Sequence, residues 1–250
     1  MKTSRLLIFA ALVLALSADI ARAQMPAGGP PGWNAALTRL LGDVKAFSAR
    51  TDVRQLDKAG KEMATLTMDF ALLEGDIRVE FDLAHVKGGQ ISPAAVAQMK
   101  QLGMDHTVAI LQPATRVMRV IYPRLEAYVD MPLPEDAAVG DKNFKIEKVK
   151  LGNEKIDGHS CEKHRVIMTD GRGGKAEALV WNATDLKDFP IQMQMNENES
   201  IVVMRYKQIQ LARPEARQFQ PPAGYKKHAD VQQLMMAAAQ RQMSRQGGKK

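Results

Sequence analysis

The chain has 250 residues, 45% hydrophobic and 25% charged, so its composition is that of a globular protein and excludes a largely disordered one. Its single cysteine excludes an internal disulfide. The formal net charge is +7, of which +2 lies in residues 1–23 and +5 in the stretch from Tyr225 to Lys250, so the body between them is neutral. The body also has no basic stripe with interleaved aromatic residues, so nucleic-acid binding is not expected.

The first residues have the pattern of an export signal. Two basic residues precede the apolar run from Leu6 to Leu16, and Ala21-Arg22-Ala23 has the A-x-A form of a cleavage site. We expect residues 1–23 to be removed, leaving a periplasmic chain that begins at Gln24. The apolar run is shorter than the roughly 20 residues that span a bilayer, and no later segment is long and apolar enough to do so. No transmembrane segment and no lipid anchor are therefore predicted.

The mature chain is predicted to contain one folded domain. A flexible lead over 24–32 precedes a helix from Trp33 to Leu41, whose apolar spacing ends at Gly42. The domain covers 33–225, and a basic, partly helical tail follows over 226–250. About 227 mature residues are enough to bury a core without disulfides.

From Phe47 onward the apolar residues alternate with polar ones, which is the period of a half-buried strand. Glycine-containing and acidic turns separate the alternating segments. Many short strands joined by short turns predict a mainly β fold with a few helices (α+β), built on one large, curled, antiparallel sheet. The predicted strands are Phe47 to Val53, Leu66 to Leu72, Ile77 to Leu83, Thr107 to Leu111, Arg116 to Tyr122, Ala127 to Met131, Phe144 to Leu151, Cys161 to Met168, Lys175 to Asn182, Ile191 to Met195 and Ile201 to Leu211.

Two further helices are predicted, and the first of them, like the helix from Trp33 to Leu41, is expected to lie against the sheet. Ser92-Pro93 supplies an N-cap hydroxyl and a proline at the first helical position, and Gly103 ends that helix. The tail from Ala229 to Ser244 has an apolar stripe and basic residues. We expect it to be a solvated or loosely packed terminus, with peripheral contact to an anionic membrane surface as the alternative.

The segment from Gly158 to His164 places the only cysteine between two histidines. If it begins a strand, His159 and Cys161 share one face while His164 lies on the other, so three metal ligands would not converge. A copper site remains the alternative interpretation, because histidine, cysteine and methionine suit Cu(I). No base, oxyanion hole or orienting third group marks Cys161 as a nucleophile. We predict an ordinary strand residue after an Asp157-Gly158 turn.

No motif predicts an enzyme. The sequence has no G-x-S-x-G elbow, no P-loop and no dinucleotide-type glycine fingerprint, so no cofactor is predicted either. Three close acid pairs lie in turn-like segments and are interpreted as solvated loops: Glu135/Asp136, Asp185/Asp188 and Glu197/Glu199.

The methionines are the more unusual feature, since 15 are present and several lie in predicted strands. The unbranched thioether side chain adapts to irregular or changeable apolar surfaces. One interpretation is an apolar cavity inside a curled sheet that accepts acyl chains. The other is an ordinary filled core. The residues predicted to line such a cavity are Met68, Phe70, Phe81, Met193 and Met195.

Six segments between Trp33 and Tyr225 form a recognisable series: Phe47 to Arg50, Gly75 to Glu80, Lys150 to Gly152, Gly158 to His164, Leu179 to Pro190 and Phe219 to Tyr225. In this order they resemble a group of exported bacterial proteins of unknown function that is associated with the periplasmic lipoprotein-carrier (LolA/LolB-like) fold. The resemblance implies an unclosed antiparallel barrel whose helices form a lid over an apolar cavity on the concave side, and a lipid or lipoprotein as ligand. The helix after Ser92 departs from that pattern, and no residue here matches the carriers' lid arginine.

Three functions follow as hypotheses. The first is a non-enzymatic periplasmic protein that binds an acyl chain, lipid or lipoprotein. The second is a structural or envelope-interaction protein with a filled core, which holds a partner through its surface or its basic tail. The third is a metal site at His159, Cys161 and His164.

Overall fold

The computed structural model of this chain is mainly β, with 57% of the described residues in strands and two α-helices. The predicted export signal, the lead over 24–32 and all of the helix predicted from Trp33 to Leu41 except its last two residues lie outside the described residues. Glu135, Asp136 and Glu199 of the acid pairs also lie outside them. The structure describes residues 40–89, 92–133, 145–169, 174–197 and 200–247.

Within the described residues thirteen strands form one sheet, and each of the predicted strands is among them, which confirms the two-residue alternation. Two short strands, β4 and β13, were not predicted. In chain order the strands are β1 (Ala46–Asp57), β2 (Glu62–Leu73), β3 (Asp76–Asp82), β4 (Lys87–Gly88), β5 (His106–Gln112), β6 (Val117–Tyr122), β7 (Ala127–Pro132), β8 (Lys145–Ile156), β9 (His159–Thr169), β10 (Lys175–Ala183), β11 (Phe189–Glu197), β12 (Ser200–Gln210) and β13 (Lys226–His228).

The strand order is β13-β7-β6-β5-β3-β2-β1-β12-β11-β10-β9-β8, with β4 beside β2. Each half is a meander, and the pairing of β1 with β12 joins the two halves. All pairs are antiparallel except β13 with β7. The end strands β13 and β8 do not pair with each other, so the sheet is unclosed, as predicted.

The sheet curls around one main core. The rings of Phe47 on β1 and Phe189 on β11 lie 4.8 Å apart between centroids, although β12 runs between their strands. Neighbouring strands are about 4.8 Å apart, so rings from strands two positions apart meet only when their side chains converge. Convergence of this kind is expected on the concave side of a curved sheet.

The turns follow the local sequence. Asp157 and Gly158 join β8 to β9 with φ values of 48° and 89°. Positive φ at both central residues is the geometry of a two-residue hairpin turn, and Asp-Gly is a preferred sequence for it. This turn fixes how the segment from His159 enters β9.

The first helix, α1 (Pro93–Leu102), has the predicted caps. The Ser92 hydroxyl accepts a hydrogen bond from the Ala95 amide at 3.1 Å, and Gly103 ends the helix with φ of 74°. Met99 and Leu102 pack against the main core. The helix therefore lies over the concave side.

The tail helix α2 (Val231–Gly247) is more firmly packed than expected. The backbone N–H of Gln233 donates to the Asp230 carboxylate at 2.7 Å, and this bond caps the first turn of the helix. Leu234 is 1% exposed and Ala238 5%, and Leu234 belongs to the main core. The expectation of a solvated terminus is therefore wrong for this part of the tail, because residues four apart bury one side of the helix.

The convex side of the sheet is partly covered. A short 3-10 helix, Ala216–Phe219, brings Phe219 onto strands β2, β5 and β6, where it is 2% exposed. A second convex cluster, formed by Ile156, Cys161, Trp181, Ala183 and Ile191, lies at the other end of the sheet. The main apolar core remains on the concave side.

Candidate functional site

The five residues predicted to line a cavity are all deeply buried on the concave side. Met193 is 0% exposed and Phe81, the most accessible of them, 7%. Met68 lies opposite Phe81 across β2 and β3. All five belong to the one main core, and in this conformation neighbouring side chains cover them.

An open cleft with a mixed apolar and charged lining lies beside this core. It has a volume of about 530 Å³ and is bounded by residues 40–44 on one side and by strands β8 to β11, with the turn before β11, on the other. None of the five predicted residues lines it. Its apolar lining consists of Leu40, Leu41, Val44, Ile146, Val166, Val180 and Pro190.

Strand register brings the lining residues of the sheet together. Lys148 of β8 pairs with Val166 of β9, and Ile146 pairs with Met168 on the same face. Val180 of β10 pairs with Met193 of β11, so the cleft adjoins one of the predicted residues. Ile146 is 48% exposed because β8 is an end strand with no further strand beside it. The cleft is therefore the open end of the concave apolar side.

The charges around the cleft balance. Lys148 and Lys187 line it, and so do Asp43 and Asp188. Their formal charges sum to zero.

Burial, followed by the field of Lys148, lowers the pKa of His164, which lies two residues before Val166 on the same face of β9. His164 is therefore a neutral imidazole at neutral pH.

One buried polar side chain, Asn182, also lines the cleft. It is 7% exposed, and its amide nitrogen Nδ2 donates to the Asp188 carbonyl oxygen at 2.8 Å. Its oxygen Oδ1 has no hydrogen-bond partner among the described residues. The remaining polar and charged residues of the lining are exposed.

The histidine and cysteine segment is arranged as the alternation predicted. His164 lies on the concave face of β9, while Cys161 belongs to the convex cluster. His159 forms a hydrogen bond through Nδ1 with Oδ2 of the Asp185 carboxylate at 2.7 Å, and this bond holds the pKa of Asp185 below its usual range. Among the residues that the structure describes, no three potential ligands of histidine, cysteine, aspartate or glutamate type come together.

Cys161 is buried and its thiol donates to the His159 carbonyl oxygen at 3.5 Å. Burial raises the pKa of this thiol, so the nucleophilic thiolate is disfavoured. A shallow pocket of about 410 Å³ lies beside it, with Glu154, Ser160 and Thr184 in its lining. The geometry supports the interpretation of Cys161 as a strand residue.

Sequence reasoning missed the residues that form the cleft, above all Ile146, Val166, Val180 and Asn182. The predictions assigned each of them to a strand but not to a face of the sheet. No local pattern gave the register between three strands, although the hairpin turn at Asp157-Gly158 is a signal that could have aligned β8 with β9.

The sequence matches no protein-family model and no curated protein. Solved structures of similar architecture include a LolA superfamily protein from Nitrosomonas europaea, at 12% identity and a TM-score of 0.34, over 76% of this chain and 98% of that chain. The lipoprotein LppX from Mycobacterium tuberculosis matches at 12% identity and a TM-score of 0.35, over 70% and 91% of the two chains.

An outer membrane lipoprotein-sorting domain from Vibrio parahaemolyticus matches at 12% identity and a TM-score of 0.31, over 74% and 94% of the two chains. All three likenesses have TM-scores between 0.31 and 0.35. At this level of identity and superposition they say nothing about function, which has to be argued from the chain's own residues.

Proposed function

We propose that the chain is an exported, non-enzymatic protein that binds an acyl chain, either free or as the lipid part of a lipoprotein, in the cleft at the open end of its concave side. The supporting observation is the cleft itself. Its volume of about 530 Å³ is within the range of roughly 300 to 1,000 Å³ that small-molecule sites occupy, and most of its lining within the sheet is apolar.

The five predicted residues would form the deeper wall of the site. Met193 lies next to the cleft-lining Val180, and Met195 follows on the same face of β11. Met68, Phe70 and Phe81 continue the same core across β2 and β3. Because methionine side chains adapt their shape readily, a long chain that enters the cleft would displace these side chains rather than meet a rigid wall.

Export to the periplasm is part of the proposal and rests on the signal pattern before Gln24. No described helix is both long and apolar enough to cross a membrane. The tail helix α2 has Met236, 55% exposed, and Met243, 65% exposed, seven residues apart and thus on one side. That side is available for peripheral contact with a membrane that supplies or receives the ligand.

The proposal can be tested on the mature chain purified from periplasm. Native mass spectrometry is expected to show added lipid mass, and an uncharged fluorescent acyl ester is expected to bind to delipidated protein. Ile146→Asp, which puts a carboxylate in the cleft, should weaken probe binding about tenfold, because covering a charged group with an apolar ligand removes its hydration.

Val149→Asp is the matched control. Val149 lies on the same strand and is 45% exposed against 48% for Ile146, but it does not line the cleft. The control should bind the probe as the unchanged protein does. Equal losses in both variants would place probe binding elsewhere on β8.

The second candidate function is an envelope-interaction protein with a filled core. The observation that favours it is the deep burial of the five predicted residues, none of which is more than 7% exposed. Protein without lipid mass that also ignores the acyl probe would support this candidate and overturn the first.

A further inference from the structure

The end strand β8 is a long edge whose outer side has no neighbour among the described strands. It spans Lys145–Ile156, and of those strands β9 alone pairs with it. The pairing with β9 is regular from Lys145 to Lys150, where each residue in turn has a partner. The N–H and C=O groups on the outer side of this regular stretch can therefore pair with one further strand.

Apolar side chains on both faces of this edge are exposed. Ile146 is 48% exposed and Val149 45%. Ile146 lines the cleft on the concave face, whereas Val149, three residues later, lies on the opposite face. A molecule resting on one face of the sheet would cover only one of these side chains. A strand placed alongside β8 would bring neighbours to both, because its own side chains alternate between the two faces.

The charge of β8 indicates what kind of strand fits beside it. The whole strand has a formal charge of +2. Lys150 is paired with Glu162 of β9 at 2.5 Å, but Arg165, which lies opposite Val149 on β9, adds a further positive charge. The edge is therefore positive. Its regular stretch holds three lysines and one glutamate: Lys145, Lys148, Lys150 and Glu147.

A second copy of the chain is a poor occupant of this edge. Two β8 strands that pair through the regular stretch would bring lysines of one copy close to lysines of the other, and like charges across strands are destabilising. Lysine at the edge of a sheet is a common defence against such self-association. An acidic strand would instead gain an attractive contact at each lysine.

We propose that β8 is a docking edge for an extended, acidic segment of a partner protein, which adds to the sheet as an antiparallel strand beside Lys145 to Lys150. Acidic residues of the partner lie opposite the lysines, and its apolar residues lie opposite Ile146 and Val149. This interaction surface does not depend on the acyl-chain function.

The test uses two blocked peptides whose residues lie opposite Lys150 to Lys145 in antiparallel register. The acidic one is acetyl-Glu-Val-Glu-Thr-Val-Glu-amide, and in the basic one lysine replaces each glutamate. Fluorescence anisotropy of dye-labelled peptides measures their binding to the mature chain. The acidic peptide should bind at least about tenfold more tightly, because three cross-strand contacts change from repulsion to attraction.

Charge reversal on β8 should reverse this preference. In the double variant Lys145→Glu with Lys148→Glu, the basic peptide should bind more tightly than the acidic one. The matched control is Lys58→Glu with Lys61→Glu, which changes the net charge equally at exposed positions between β1 and β2. The control should keep the preference of the unchanged protein. Loss of the preference in the control would show that net charge alone attracts the peptide, and would overturn the proposal.

Hydrogen exchange separates strand pairing from simple charge attraction. The outward amides between Lys145 and Lys150 should exchange rapidly in the free protein. With the acidic peptide at ten times its Kd they should slow about tenfold, because only the unbound fraction exchanges.

Protection of these amides in the free protein would mean that the chain itself or a second copy already covers the edge, which overturns the proposal. Binding of the acidic peptide without protection also overturns it, as does equal affinity for the two peptides or the absence of binding. Each of these results leaves the acyl-chain function standing.

Discussion

At the scale of single residues, Tyr206 is the most unusual member of the concave core. It is 0% exposed, and its ring lies 5.4 Å from Phe47, 5.6 Å from Phe70 and 5.5 Å from Phe189 between centroids. Its hydroxyl has no partner among the described residues, and burial raises the pKa of that hydroxyl far above its usual range. Packing of the ring stabilises the folded protein, whereas burial of the hydroxyl destabilises it.

Tyr206→Phe should therefore leave the free energy of unfolding unchanged or raise it by about 1 kcal/mol, since the variant removes a buried group that has lost its hydration. Tyr206→Ala, which also removes the ring, should lower it by about 3 to 5 kcal/mol. Denaturant unfolding of the lipid-free chain measures both. A loss above about 1 kcal/mol in Tyr206→Phe would show that the hydroxyl has a partner in solution.

At the scale of elements, helix α2 contributes to the core through its first half. Leu234→Ala should lower the free energy of unfolding by about 2 to 4 kcal/mol, because it leaves a cavity where a 1% exposed side chain packed. Met236→Ala, on the same helix but at a 55% exposed position, should cause no measurable change. Equal stability of the two variants would mean that the helix is undocked in solution.

The elements themselves could be predicted because their signals are local. Alternation gave the strands, Ser92 and Gly103 gave both ends of α1, and Asp157-Gly158 gave a hairpin turn. Packing of α2 could not be predicted in the same way. From sequence alone, the apolar stripe of Leu234 and Ala238 is compatible with a membrane surface, with solvent or with a protein core. The core that this stripe covers is formed by strands that are distant in sequence.

The candidate site was harder to predict for the same reason. The sequence identified Met193 and Met68 as concave-side residues, and the structure places them there, but the role of a cavity wall stays a proposal. The cleft depends on the register of three strands and on residues 40–44, which are far from those strands in sequence. Asn182 resembles any other strand residue until its neighbours are known.

At the scale of the whole molecule, the cleft joins the start of the described chain to the far end of the sheet. A ligand in it would tie these regions together and would bind only the folded protein. With an acyl ester at about 100 times its Kd, stability should rise by about 2.7 kcal/mol. For a domain of this size that corresponds to roughly 5 to 10 °C in melting temperature.

Thermal unfolding with and without the ester measures this shift, which should be smaller in Ile146→Asp than in Val149→Asp. Binding without any rise in melting temperature would mean that the unfolded chain takes up the ester as well as the folded one does. That result would contradict a preformed site.

The parallel pairing of β13 with β7 has a consequence for assembly. At one edge of the sheet the end strand is β13, which has only three residues, whereas within the described strands β8 is the one long edge strand. Growth of a filament by strand pairing needs a pairing edge at both ends of every subunit, and two copies of β8 that pair with each other leave only the short β13 edges free. Any strand pairing between copies of this protein is therefore expected to favour a dimer over a filament.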